Sequence, residues 1–211
     1  GDIVSGLLRR KKNNDYYNNF SKNYPNTIAS KYINQTSKLP EKKKDFNFKV
    51  LTNICKSYKK KVKNDYIVVH LRIGDSLINK INNKYIFLSK GKIFNFDGFL
   101  QPNDFQKLID LKLKNHKSNK VFLVYGFHNS NFDKKISDDY VQDVKKIFTK
   151  NGYVIKKHIN GNPDEDFLFM INSKIFISSG GRFSNIIKNV KNYNNSGFVY
   201  SKENIRSAIN D

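Results

Sequence analysis

Residues 66–75 read Tyr66-Ile67-Val68-Val69-His70-Leu71-Arg72-Ile73-Gly74-Asp75. Tyr66 to Val69 form a short continuous apolar run, the pattern of a strand buried on both faces. The run stops at His70, Arg72, Gly74 and Asp75, which a buried strand does not choose for packing. In an open α/β sheet, ligands bind in the crevice outside the carboxyl ends of the strands. A guanidinium placed there can grip a phosphate with two parallel charge-assisted hydrogen bonds. Gly74 lets the backbone turn sharply, or approach a ligand closely, just after that arginine. The plainer reading of the same spacing is a strand followed by a polar turn with a satisfied histidine.

Downstream of this stretch the pattern is regular. Apolar runs at Val121–Tyr125, Tyr153–Ile155, Ile175–Ile177 and Phe198–Tyr200 predict four more strands. Between them lie segments with helical spacing: from Asn103 or Asp104, from Ser137, from Pro163 and Asp164, over 183–192, and from about Glu203. Strand and helix alternate four times, which predicts right-handed crossovers and a mostly parallel, Rossmann-like sheet flanked by helices. Tyr85–Leu100 reads as a long aromatic insertion. Upstream, residues 1–64 predict a small, mainly helical N-terminal region, and 65–211 the Rossmann-like domain. That region holds an amphipathic start (Ile3, Leu7, Leu8), a linker over 35–45 and a helix through Phe48, Leu51, Ile54, Cys55 and Tyr58.

At 211 residues the chain suits one domain with an appendage, or a compact pair. Hydrophobic content is 38%, but 17 Phe and 12 Tyr supply large apolar surfaces for a core. The balance of 39 Lys and Arg against 18 Asp and Glu gives a net charge of +21, which favours polyanionic partners. The lysines are scattered rather than gathered on a nucleic-acid motif, so a basic nucleic-acid-binding protein is disfavoured. Peripheral contact with an anionic membrane stays open. One cysteine, Cys55, excludes an internal disulfide and reads as a small core residue. No apolar run is long enough to span a bilayer, and nothing reads as a secretory signal, so a cytoplasmic location is expected. No histidine pair has metal-ligand spacing, so neither a metal nor a resident cofactor is expected.

Ser178-Ser179-Gly180-Gly181-Arg182-Phe183-Ser184 leaves the fourth strand and opens a helix. Hydroxyls, free N–H groups and a helix N-terminus are phosphate-binding chemistry. A Gly-Gly loop can equally be a simple connection. Asp164, Glu165 and Asp166 open the preceding helix, where carboxylates are ordinary capping and dipole residues. Gly126, Phe127 and His128 follow the second strand at the crevice edge and are candidates to line a nucleotide.

The stretch His70-Leu71-Arg72-Ile73-Gly74-Asp75 resembles the His-x-Arg-x-Gly-Asp signature of the fucosyltransferase superfamily, which includes α1,2-, α1,6- and protein O-fucosyltransferases. Many α1,2 and α1,6 members carry a second arginine where this chain has Ile73. Ser178, Ser179, Phe183 and Ser184 resemble the Ser-Ser-x-Phe-Ser region of the same enzymes. The resemblance covers residues 65–190 and implies the C-terminal half of a GT-B fold. It implies that Arg72 holds the diphosphate of GDP-fucose, with the Ser178–Ser184 loop beside it. An acidic residue at the start of the helix opened by Pro163, Asp164 or else Asp166, is then expected on the base or ribose. The reaction implied is an inverting, metal-independent transfer to a glycan or protein hydroxyl. Asp75 and Glu165 are the candidate general bases. The rival reading is a non-catalytic glycan- or nucleotide-binding module on the same fold.

Overall fold

In chain order, α1 (Ile28–Ser37) and α2 (Phe48–Ser57) precede β1 (Asn64–His70). Then come β2 (Leu77–Ile81), β3 (Lys84–Ser89), β4 (Lys92–Phe94) and α3 (Pro102–Leu108), which continues as a π-helical turn, Ile109–Leu113. The rest alternates: β5 (Lys120–Tyr125), α4 (Lys134–Lys150), β6 (Val154–Ile159), α5 (Pro163–Ile171), β7 (Ser173–Ser178), α6 (Arg182–Tyr193) and β8 (Phe198–Tyr200). This computed structural model describes residues 22–24, 26–37, 48–58, 64–89, 92–94, 99–127, 134–159, 161–195, 197–202 and 205. The expected helix at Ile3–Leu8, most of the linker over 35–45, nearly all of the helix from Glu203, His128, and the side chains of Asp75 and Arg182 lie outside the described residues.

The main sheet has five strands in the order β6-β5-β1-β7-β8, and every neighbouring pair is parallel. The fold is therefore α/β with a Rossmann-like sheet, as the alternation predicts. The chain moves outward from β1 through β5 to β6, then returns across the sheet to β7 and β8. Strand order thus reverses between β1 and β7, the topological switch point at which open sheets of this kind leave a crevice.

Successive residues of the central strands point to opposite faces, and both faces are covered. Ile67 and Val69 of β1, Val121 and Leu123 of β5, and Ile175 and Ile177 of β7 pack with α3, α4 and the β2–β3 ribbon. Val68, Val124 and Phe176 point the other way, into a core built by α1, α2, α5 and α6. A strand with helices on both sides has no polar face, which is why 66–69 is an unbroken apolar run. The N-terminal helices consequently share the core of the sheet: Ile28, Tyr32, Ile33, Leu51 and Ile54 are all buried on its second face. Asp164 ties them on further, because its Oδ2 accepts the N–H of Ile28 at 2.8 Å, at the start of α1.

The stretch read as an aromatic insertion is a three-stranded antiparallel sheet, β2-β3-β4, that already begins at Leu77. Its hairpin turns on Asn82 and Asn83, with φ of 48° and 61°, the two positive values a tight primed turn needs. β6 runs four residues past the predicted end, through Lys156, Lys157 and His158. As an edge strand it has a solvated side, so its extension is polar rather than apolar. Lys191, one of many lysines, is fully buried. Its ammonium donates to the carbonyls of Ile171 (3.1 Å) and Ser173 (2.5 Å) at the opposite, amino end of the sheet.

Candidate functional site

The two stretches singled out in the sequence meet at the switch point. β1 and β7 pair in register up to His70 and Ser178, so both chains leave the sheet side by side. Beyond that pair the backbones remain stitched. Ser179 donates its N–H to the His70 carbonyl at 3.1 Å, and Arg72 donates its N–H to Ser179 Oγ at 2.8 Å. His70 Nδ1 lies 2.5 Å from Ser184 Oγ, in the first turn of α6, and its ring meets Phe183 edge-on. Ser178, Ser179 and Ser184 are all buried, and the hydroxyls of Ser179 and Ser184 are structural partners of these loops as well as candidate ligand groups.

Arg72 leaves this frame half-buried, with its stem against Gly181. A Cβ at Gly181 would sit 3.3 Å from Arg72 Cδ and 3.4 Å from Cγ, and the glycine's φ is +89°. Both the close approach and the left-handed backbone select glycine at this position. Gly181 is also the residue before α6, so the arginine stem runs past the positive end of a helix. Gly74 has φ +73° and turns the chain from the arginine into a short 3-10 turn at Gly74–Ser76. The arginine stem, a helix N-terminus and a loop turning on positive-φ glycines therefore lie side by side, groups of the kind that attract anions.

The other candidates lie along the same carboxyl edge. Gly126 directly follows β5, next to β1, and Phe127 is half-buried there under the Lys134 ammonium. α5 starts beyond β6, with Asn162 Oδ1 accepting the N–H groups of Asp164 and Glu165. Asp164 is raised above the usual carboxylate range by burial, against the pull of the Ile28 N–H and Lys31. One of its oxygens is thus committed to the start of α1, a capping role acting over 136 residues. Asp166 is likewise raised by burial and drawn back by His158, whose Nε2 lies 2.6 Å from Oδ1. That contact is close but poorly aligned, since Oδ1 meets no donor in hydrogen-bond geometry. Glu165 is exposed. His158 stands in register with Val124 and His70, two strands and about 10 Å along the edge. The acidic cluster therefore stands at the β6 end of this edge, two strands from His70. Among the described residues no three His, Cys, Asp or Glu side chains gather as a metal cluster.

Reading the sequence missed the residues that hold these loops from behind. Ser137 reads as a helix-starting serine, yet α4 begins at Lys134. Ser137 is buried inside it, accepting the Gly74 N–H at 3.1 Å. Tyr140 and Leu100 show no signal beyond hydrophobicity.

No family model matches the chain, and no curated protein matches it. Among solved structures, POFUT1 in complex with GDP-fucose is similar with a TM-score of 0.41 and 13% identity, over 71% of this chain and 45% of that one. This chain spans under half the length of that protein. A likeness this distant fixes neither activity nor donor.

Proposed function

We propose that the chain is a sugar-nucleotide glycosyltransferase of the fucosyltransferase kind. In this reading it transfers a sugar from a nucleoside-diphosphate donor, GDP-fucose in first place, to a hydroxyl of a glycan or protein. The observation that carries the reading is the junction of Arg72 with Gly181 and Ser179. Two stretches 107 residues apart, each worded like a fucosyltransferase motif, join through the Arg72 N–H to Ser179 Oγ bond at the strand-order reversal. In the proposed reaction the acceptor oxygen displaces the diphosphate at the anomeric carbon with inversion. Arg72 and the N–H groups at the start of α6 take up the negative charge that grows on the leaving oxygen. They do so as fixed donors, with no reorganisation needed as the bond breaks. Asp75 and Glu165 are the candidate bases for the acceptor hydroxyl.

Thermal unfolding with GDP, UDP, GDP-fucose and UDP-sugars tests the reading. At a ligand concentration near 100 times Kd, the preferred nucleotide should stabilise the fold by about 2.7 kcal/mol. Release of fucose from GDP-fucose, to water or to an acceptor, would mark an enzyme. Stabilisation without any turnover would make the chain a binding module, and no shift with any nucleotide at millimolar concentration overturns both.

A further inference from the structure

We infer that Ser137 and Tyr140, one turn apart on the buried face of α4, are positioning residues for the anion site, setting the backbone of both its loops. The inference rests on the reading of that site given above. Ser137 Oγ accepts the N–H of Gly74, the residue at which the chain turns away from Arg72. Tyr140 donates its hydroxyl to the Leu100 carbonyl at 2.6 Å, and Leu100 donates its own N–H to the Ser179 carbonyl at 3.0 Å. Ser179 in turn holds Arg72 by its Oγ and His70 by its N–H. One helix thus grips the arginine loop on its far side through Ser137, and on its near side through Tyr140, Leu100 and Ser179.

The strap between them is itself fixed. Phe99 stacks on Phe87 with ring centroids 4.4 Å apart, and its carbonyl accepts from the Lys202 ammonium at 2.9 Å. Gln101 exchanges two 2.8 Å bonds with the backbone of Tyr85. Tyr85 and Lys80 both bond Asp143 on α4, at 2.6 and 2.9 Å. The ribbon that continues the arginine loop and the strap that braces the serine loop are therefore docked on the same helix. Ser137 and Tyr140 are wholly buried, so neither touches a ligand. Their hydroxyls matter because a site that binds by fixed donors loses affinity when the donors drift by about an ångström.

The experiment compares Ser137→Ala, Tyr140→Phe and Val144→Ala on the full chain. Val144 packs on the same helix outside this network, so it reports loss of core packing alone. GDP affinity is measured by calorimetry well below each melting temperature, and backbone hydrogen exchange is followed over residues 70–76 and 178–183 without ligand. Ser137→Ala and Tyr140→Phe should each weaken GDP binding about tenfold, the equivalent of one hydrogen bond. Both should speed exchange in the two loops, while Val144→Ala keeps wild-type affinity and loop protection. Normal affinity and normal loop exchange in both hydroxyl variants would overturn the inference. So would a loss in Val144→Ala as large as theirs. A wild-type chain that binds no GDP refutes the nucleotide reading instead. The exchange measurement then still decides whether α4 sets the loops.

Discussion

Arg72 offers a substitution that separates charge from geometry. Its Cβ, Cγ and Cδ lie along Gly181, and lysine carries the same three carbons. Arg72→Lys should therefore keep the charge and the packing of that stem, and the unliganded melting temperature, measured beside the rate, reports what the guanidinium contributes to the fold itself. What it removes is the planar fork, so one of two charge-assisted bonds to a diphosphate disappears. Such a bond contributes about 1.5–3 kcal/mol, which predicts a roughly ten- to hundredfold loss in transfer or donor-hydrolysis rate. An undiminished rate beside unchanged stability would remove the arginine from the chemistry. Residues like this one were legible because their types are wrong for their place: an arginine and a glycine ending an apolar strand, two serines and two glycines ending another. Ser137 was not legible, because a buried serine and a helix-starting serine are the same letter. The His158–Asp166 pair depends on β6 and α5 meeting in space, and neither residue's own surroundings in the sequence announce it.

At the scale of elements, the three central strands β5, β1 and β7 were readable because each is apolar on both faces, and the edge strands β6 and β8 because a short apolar run lies between segments of helical spacing. The β2–β3 hairpin was not. Its turn is Asn-Asn in a chain crowded with asparagine, and β3 buries Tyr85 and Phe87 under α4 while exposing Lys84. The amino end of β7 holds a second feature hidden by composition. Lys191, in the last turn of α6, is lowered by burial from 10.5 to about 8. Below about pH 8 the folded and unfolded chains both carry its proton, and the cost of burying the cation is fully present. Between about pH 8 and 10.5 the unfolded chain binds more protons, so this group makes stability rise with pH. The full effect is on the order of 3 kcal/mol, at about 1.4 kcal/mol per pKa unit. Urea unfolding of the wild type beside Lys191→Met should show the wild type gaining roughly 1–3 kcal/mol on the variant from pH 7.5 to 10. Parallel pH profiles would mean that the ammonium is solvated.

Over the whole molecule, the division expected at residue 64 does not divide the core, since α1 and α2 pack into it. α1 and α2 close the face of the sheet that carries Val68 and Phe176, beside Ile186 and Val190 of α6, and they bring Ile28, Tyr32, Ile33, Leu51 and Ile54 into it. Residues 1–64 read as a separate region because aromatic residues recur there among Asn and Lys without a strand–helix rhythm. What joins α1 and α2 to the domain is contact across the chain, including the Ile28 N–H held by Asp164. A chain starting at Asn64 would keep every strand and every motif discussed above, yet uncover that face. Each of the five large side chains contributes about 1.5–3 kcal/mol by burial. Their combined loss is comparable to the whole net stability of a domain, about 5–15 kcal/mol. The shortened chain should therefore show no cooperative thermal transition and no near-ultraviolet circular dichroism, and GDP should not rescue it at millimolar concentration. The full chain, treated identically, should melt in one transition. A shortened chain that unfolds cooperatively and binds nucleotide with the affinity of the full one would show that 64–211 is self-sufficient, with α1 and α2 merely resting on its surface.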